Sequence, residues 1–90
     1  VLTGDFNCNE TEAPYRAITN TSDQRHLQDA LLISELPHHG PLSTWSGFNF
    51  PGVPGRRIDF IFVNPDIQVL KHAILAESWS GRFPSDHLPV

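Results

Sequence analysis

The chain is 90 residues long, with six Lys and Arg against ten Asp and Glu for a formal charge of −4, 39% hydrophobic residues and 10% aromatic ones. That composition belongs to a globular stretch and excludes a disordered or fibrous chain, and no apolar run approaches the ~18 residues of a membrane helix. The acidic balance argues against gripping nucleic acid by charge alone, while leaving room for a local phosphate site or a metal bridge to phosphate.

Val1-Leu2-Thr3-Gly4-Asp5 opens with no initiator Met, basic leader or cleavage signature, so the expectation is that residues 1–90 are a fragment of one domain, truncated upstream. Val1-Leu2-Thr3 reads as the end of a strand that stops at Gly4-Asp5. Thr11-Glu12-Ala13-Pro14 supplies a cap with Pro in the first turn, leading into a brief helix over Tyr15 to Ile18. Leu27, Ala30 and Leu31 recur at helical spacing and predict a second short helix from Leu27 to Ile33, ending before Pro37. From Pro37 to Gly55 the prolines and glycines predict a loop with one strand at Ser43-Thr44-Trp45, and a long loop in a small domain borders a site. Arg57 to Val63 is the best strand in the chain, closed by the turn Asn64-Pro65-Asp66. Ile67 to Leu75 reads as its antiparallel hairpin partner. Ser78 to Pro84 is a loop, and Leu88-Pro89-Val90 begins a last strand. A lone cysteine, Cys8, forms no internal disulfide and leaves the compartment open.

Three segments carry polar groups suited to chemistry. On the strong strand both faces are largely apolar, so Asp59 needs a compensating cation or hydrogen-bond donor. Two readings stand: a salt bridge to Arg57 or another arginine, or a carboxylate that orients an imidazole. Gly4-Asp5-Phe6-Asn7 follows a strand directly. It is ordinary turn chemistry, yet it also points a carboxylate and an amide into one cleft. Ser85-Asp86-His87 adds a carboxylate and an imidazole at a loop-to-strand boundary, and the three segments together place these groups near strand ends, where sheet-based sites gather.

Taken in order, Gly4-Asp5-Phe6-Asn7, Arg57-Ile58-Asp59-Phe60-Ile61-Phe62-Val63 and Ser85-Asp86-His87-Leu88-Pro89-Val90 resemble the C-terminal half of the endonuclease/exonuclease/phosphatase superfamily, the deoxyribonuclease I-like metal-dependent phosphoesterases. The resemblance implies an α+β (α/β) fold: the C-terminal part of a four-layer α-β-β-α sandwich, mostly antiparallel sheet with short helices. It implies that Asp5 orients or deprotonates the attacking water and that Asn7 fixes Asp5 and contacts phosphate. His87 faces the phosphate with Asp59 as its partner, and Asp86, with Asp5, sits at the metal. Mg²⁺ or Mn²⁺ is the implied cofactor. Thr44-Trp45-Ser46-Gly47-Phe48 resembles a substrate-side loop, which makes Trp45 a substrate contact. The resemblance further implies a phosphate-ester substrate, with nucleic acid, phosphoinositide, sphingomyelin and small esters all within its range. The family's N-terminal residues, a metal-binding Glu among them, have no match here, so the expectation is an active longer protein and an inactive, self-associating isolated segment.

The remaining polar and aromatic residues read more plainly. His38-His39 with Cys8 lacks the spacing of a zinc site. Trp45, Phe48 and Phe50 read as plugs at the edge of a core in preference to a stacking rim, and Trp79 as packing. Arg56, Arg57 and Arg82 read either as phosphate or substrate contacts or as partners of nearby acids. A noncatalytic binding or assembly module that retains the fold is the alternative function.

Overall fold

The computed structural model describes residues 1–48 and 55–90; Phe50 and the Pro51–Pro54 part of the expected loop lie outside the described residues. Five elements follow in chain order: β1 (Leu2–Asp5), α1 (Ala13–Thr19), β2 (Gln28–Asp29), α2 (Ala30–Ile33) and β3 (Asp59–Val63). They form an antiparallel sheet of order β1-β3-β2, with Leu2 opposite Phe62 and Asp5 opposite Asp59 on one side and Asp29 opposite Phe62 on the other. The central place of β3 suits its sequence, because a strand flanked on both sides must bury most of its length.

Alternation along β3 sends Phe60 and Phe62 to one face, where they are 2% and 0% exposed. Tyr15, Cys8 and the partly buried Phe6, Ile18 and Leu27 close over them. Phe6 meets Phe62 edge-on at 5.2 Å between ring centroids, and Tyr15 lies 5.2 Å from Phe60, spacings at which aromatic quadrupoles attract. Tyr15 reaches them because α1, started by Pro14 in its first turn, lies across this face. Cys8 is free and buried in this cluster. The opposite face carries Ile61 and Val63, which with Ala30, Val69, Leu75 and Val90 line a cavity of about 260 Å³.

Several expectations are corrected. Ile67 to Leu75 is not the hairpin partner of β3, because β1 and β2 occupy both of its edges. The turn at Asn64 is formed, with Ile67 N–H donating to Asn64 O (2.9 Å). Beyond it the chain runs irregularly past the segment after α2, where Glu35 N–H donates to Val69 O and Ile74 N–H to His39 O. Gly40 is required at this contact, since a Cβ there would collide with the Ile74 carbonyl oxygen and its φ is +92°. The expected second helix is shorter: residues 28–29 pair with β3, and the Asp29 carboxylate then accepts the Leu31 N–H (3.0 Å) to start α2. The cap of α1 falls within the expected Thr11–Pro14 stretch, at Glu12, without a side-chain capping hydrogen bond. Ser43 to Trp45 and Leu88 to Val90 form isolated bridges or irregular chain in place of strands.

A buried ionic cluster joins the two sides of the sheet. Arg57 donates to the Asp29 carboxylate, which also accepts the Tyr15 hydroxyl (2.9 Å), while the guanidinium lies 4.5 Å over the Phe60 ring. Glu10 comes within 2.9 Å of Arg57 Nε as an ion pair without hydrogen-bond geometry. Burial, with the neighbouring Asp29, pushes the Tyr15 hydroxyl up to about 12.

Candidate active site

Strand pairing builds the site. The β1–β3 register sets Asp5 directly opposite Asp59, an arrangement of like charges that weakens an antiparallel pair unless positive charge intervenes. His87 supplies it for Asp59: its Nδ1 lies 2.9 Å from Asp59 Oδ2. Because the carboxylate only accepts, Nδ1 carries the proton and donates, which leaves Nε2 turned to the other carboxylate, 4.0 Å from Asp5 Oδ2. Ligand atoms of Asp5, Asp59 and His87 all lie within 4.8 Å of one another. The hydrogen bond to Asp59 raises the His87 pKa above its ordinary value, and the charges of Asp59, Asp86 and Asp5 add to this against a smaller lowering by burial. Of the two readings of Asp59, the structure selects the imidazole partner; Arg57 is engaged by Asp29 and Glu10.

Asp5 is fixed from its own side. Asn7 adopts a left-handed backbone (φ 49°), which folds it back so that its N–H donates to Asp5 Oδ1 (2.8 Å) and its side-chain amide to Oδ2 (3.3 Å). This Asx-type turn holds the carboxylate while leaving the Asp5 side chain 35% exposed.

Thr44, which the sequence reading left without a role, ties the parts together. Its side chain is fully buried, and its hydroxyl accepts the N–H groups of both Ile58 and Asp59 at 3.0 Å. The same residue's carbonyl accepts Leu88 N–H (2.6 Å), and Ser46 N–H donates to Asp86 O (3.1 Å). One short segment therefore clamps the start of β3 to the strip that carries His87. Asp86 stands beside the trio and accepts the Trp45 indole N–H (3.3 Å).

Other predicted residues fall elsewhere. Arg57 is corrected as a substrate contact: its side chain is 6% exposed and held in the ionic cluster. Trp45 and Phe48 are 36% and 60% exposed and Trp79 is 90% exposed, so none of these three plugs a core. His38 does not pair with Cys8. Its Nε2 lies 2.9 Å from Pro41 O and its Nδ1 3.0 Å from His72 Nδ1. The carbonyl requires the proton on His38 Nε2, so buried His72 donates through Nδ1. Burial, with His38 beside it, lowers the His72 pKa.

The fold and the site define an antiparallel α+β protein with an imidazole held between carboxylates at its strand ends. The chain belongs to the Endonuclease/Exonuclease/phosphatase family, whose model matches residues 1–87. Among solved structures it is similar to an endonuclease/exonuclease/phosphatase from Bacteroides vulgatus, at 32% identity and a TM-score of 0.82, over 96% of this chain and 32% of that one. It is also similar to a functionally unknown conserved protein from Enterococcus faecalis V583, at 34% identity and a TM-score of 0.79, over 97% of this chain and 32% of that one. The chain thus spans about a third of the solved structures it matches. A search of the curated proteins finds no match. Among the described residues, no helix is long and apolar enough to cross a membrane.

Proposed function

We propose that the protein hydrolyses phosphoester bonds with the help of a divalent cation, this segment contributing the water-activating and phosphate-facing residues of a longer domain. The observation that carries the reading is the Asp59–His87 hydrogen bond (2.9 Å) with Asp5 facing the other ring nitrogen. Asp59 fixes the imidazole tautomer and favours its protonated form, so Nε2–H is a charged donor aimed into the cleft, where it meets a non-bridging or leaving oxygen as negative charge builds there. Asp5, steadied by Asn7, orients an attacking water and takes its proton. On this reading the Asn7 amide and the Trp45 edge contact the substrate.

The donor set fits a hard cation. Asp5 offers partly exposed carboxylate oxygens whose protein hydrogen bonds come from Asn7, and oxygen ligands with room for water suit Mg²⁺ or Mn²⁺. On this reading Asp5, joined by Asp86, would hold the ion. When bound, the ion supplies electrostatic stabilisation to the phosphate oxygens.

Hydrolysis of bis(p-nitrophenyl) phosphate by the full-length protein with Mg²⁺, Mn²⁺ or EDTA tests the reading. Metal-dependent turnover that falls by orders of magnitude in His87→Ala supports it. No metal-dependent hydrolysis of this or a panel of natural phosphoesters would instead favour a noncatalytic module that kept the fold.

A further inference from the structure

His87 also lines a second feature. A cavity of about 460 Å³ opens beside it, walled by Leu75, Trp79, Phe83 and Leu88, with Glu77 and Arg82 among its lining residues. Its size lies in the range of small-molecule sites, ~300–1,000 Å³. His87 is thus shared between this cavity and the cluster with Asp5 and Asp59.

The Trp79 ring is the least expected part of the wall. It is 90% exposed, yet its backbone is fixed: Trp79 and Arg82 exchange both N–H···O bonds at 2.9 Å, and Ser80 and Gly81 between them have φ of +48° and +74°. This is the two-residue turn that matches strand twist and resists rearrangement. A rigid backbone below an exposed indole reduces the order lost when a ring stacks on it.

We propose, resting on the phosphoesterase reading, that this cavity is the subsite for the organic group esterified to the scissile phosphate, and that it selects a planar aromatic group stacked on Trp79. The chemistry of the wall separates this occupant from an aliphatic chain. Arg82 and Glu77 are exposed lining residues, and a hydrocarbon tail would leave their charged ends in water and gain nothing from either. An aromatic ring gives the guanidinium a π-face, and a ring bearing N–H groups gives Glu77 a donor.

The test uses the full-length protein and three methyl phosphodiesters, with benzyl, cyclohexylmethyl or thymidine-5′ as the second substituent. The first two are matched in size and leaving ability. Hydrolysis is followed by ³¹P NMR, and binding without added metal by quenching of the Trp79 fluorescence, taken as the difference from Trp79→Phe. The expected result is a KM roughly tenfold lower for benzyl than for cyclohexylmethyl, abolished by Trp79→Ala and largely kept by Trp79→Phe. The thymidine ester separates the sources: tighter binding than benzyl identifies a nucleobase, equal or weaker binding a simple aryl group. Equal KM values for benzyl and cyclohexylmethyl in the unmodified protein, or a preference that survives Trp79→Ala, would overturn the subsite. Quenching by the benzyl ester without hydrolysis of any ester would preserve the subsite and defeat the phosphoesterase reading instead.

Discussion

Replacing Thr44 by Val keeps the branched shape of the side chain and removes one oxygen. That oxygen accepts the N–H groups of Ile58 and Asp59, both at 3.0 Å, inside a side chain that is fully buried. Each donor stranded in a buried position costs about 1–3 kcal/mol. Ile58 is buried and Asp59 half-buried, so the full cost applies to the first and the lower end to the second, and Thr44→Val is expected to lose about 2–4 kcal/mol. Urea unfolding of the full-length protein followed by circular dichroism reads this as a fall in the transition midpoint of about 1–2 M for an ordinary urea slope. Thr44→Ser keeps the acceptor and gives up one methyl group, about 1 kcal/mol. Turnover should follow the same order, because the amide of Asp59 is what the hydroxyl anchors. A Val variant within about 0.5 kcal/mol of the unmodified protein, below the cost of even one stranded donor, or a Ser variant as damaged as Val, would refute the reasoning.

Asp59→Asn should lower the His87 pKa toward its ordinary value, measured by imidazole NMR in EDTA, and lower kcat by orders of magnitude with the fold intact. The raised pKa means the pair stabilises the folded state fully below the unfolded value near 6.5 and that this contribution is lost as pH rises through the folded value. The urea midpoints of the unmodified protein and Asp59→Asn should therefore converge as pH rises over that window. Tyr15 acts in an alkaline window: with its hydroxyl raised from 10.0 to about 12, stability is intact below pH 10 and falls between those values. Tyr15→Phe should remove that slope. Arg57→Ala strands the Asp29 carboxylate, whose side chain is 1% exposed, and should cost about 3–5 kcal/mol in the same assay. Part of that loss should return when Asp29→Asn is added.

The parts of the molecule that were legible in the sequence are those in which local pattern and final environment agree. Asp59 to Val63 alternates strongly and is flanked on both sides; Asn64-Pro65-Asp66 turns as its composition requires. Asp5, Asn7, Asp59 and His87 were found as ordered motifs; Asp5 and Asp59 meet through the antiparallel pairing of β1 with β3, and the Thr44 segment ties the strip that carries His87 to the start of β3. Ile67 to Leu75 misled because β-prone residues carry no mark of which edge is vacant, and here both edges of β3 are taken by segments distant in sequence. Gln28 and Asp29 fit a helical repeat but pair with β3, a tertiary preference that no local period records. Thr44 and Asp29 were overlooked for a common reason. A polar side chain that satisfies buried backbone or a buried arginine looks in sequence like any loop or helix-surface residue. Trp79 had a usable signal in the Ser80-Gly81 dipeptide, which favours a tight turn and so an exposed flank.

The site is as much a property of register as of residue choice. Asp5 and Asp59 face each other because Leu2 pairs with Phe62 three positions along the same ladder, and side chains in a strand alternate faces at every step. A slip of one residue would send Asp5 to the aromatic face and bring Gly4 or Phe6 opposite Asp59. Phe62 and Phe60, sealed under Tyr15 and Phe6, make such a slip costly, since it would press a carboxylate against rings whose polar neighbours, Arg57 and the Tyr15 hydroxyl, are already engaged by Asp29. The aromatic core on one face of the sheet thus fixes the distance between carboxylate and imidazole on the other. A cavity in that core, such as Phe62→Ala would create, should loosen the Asp5–His87 geometry as well as costing about 3–5 kcal/mol of stability.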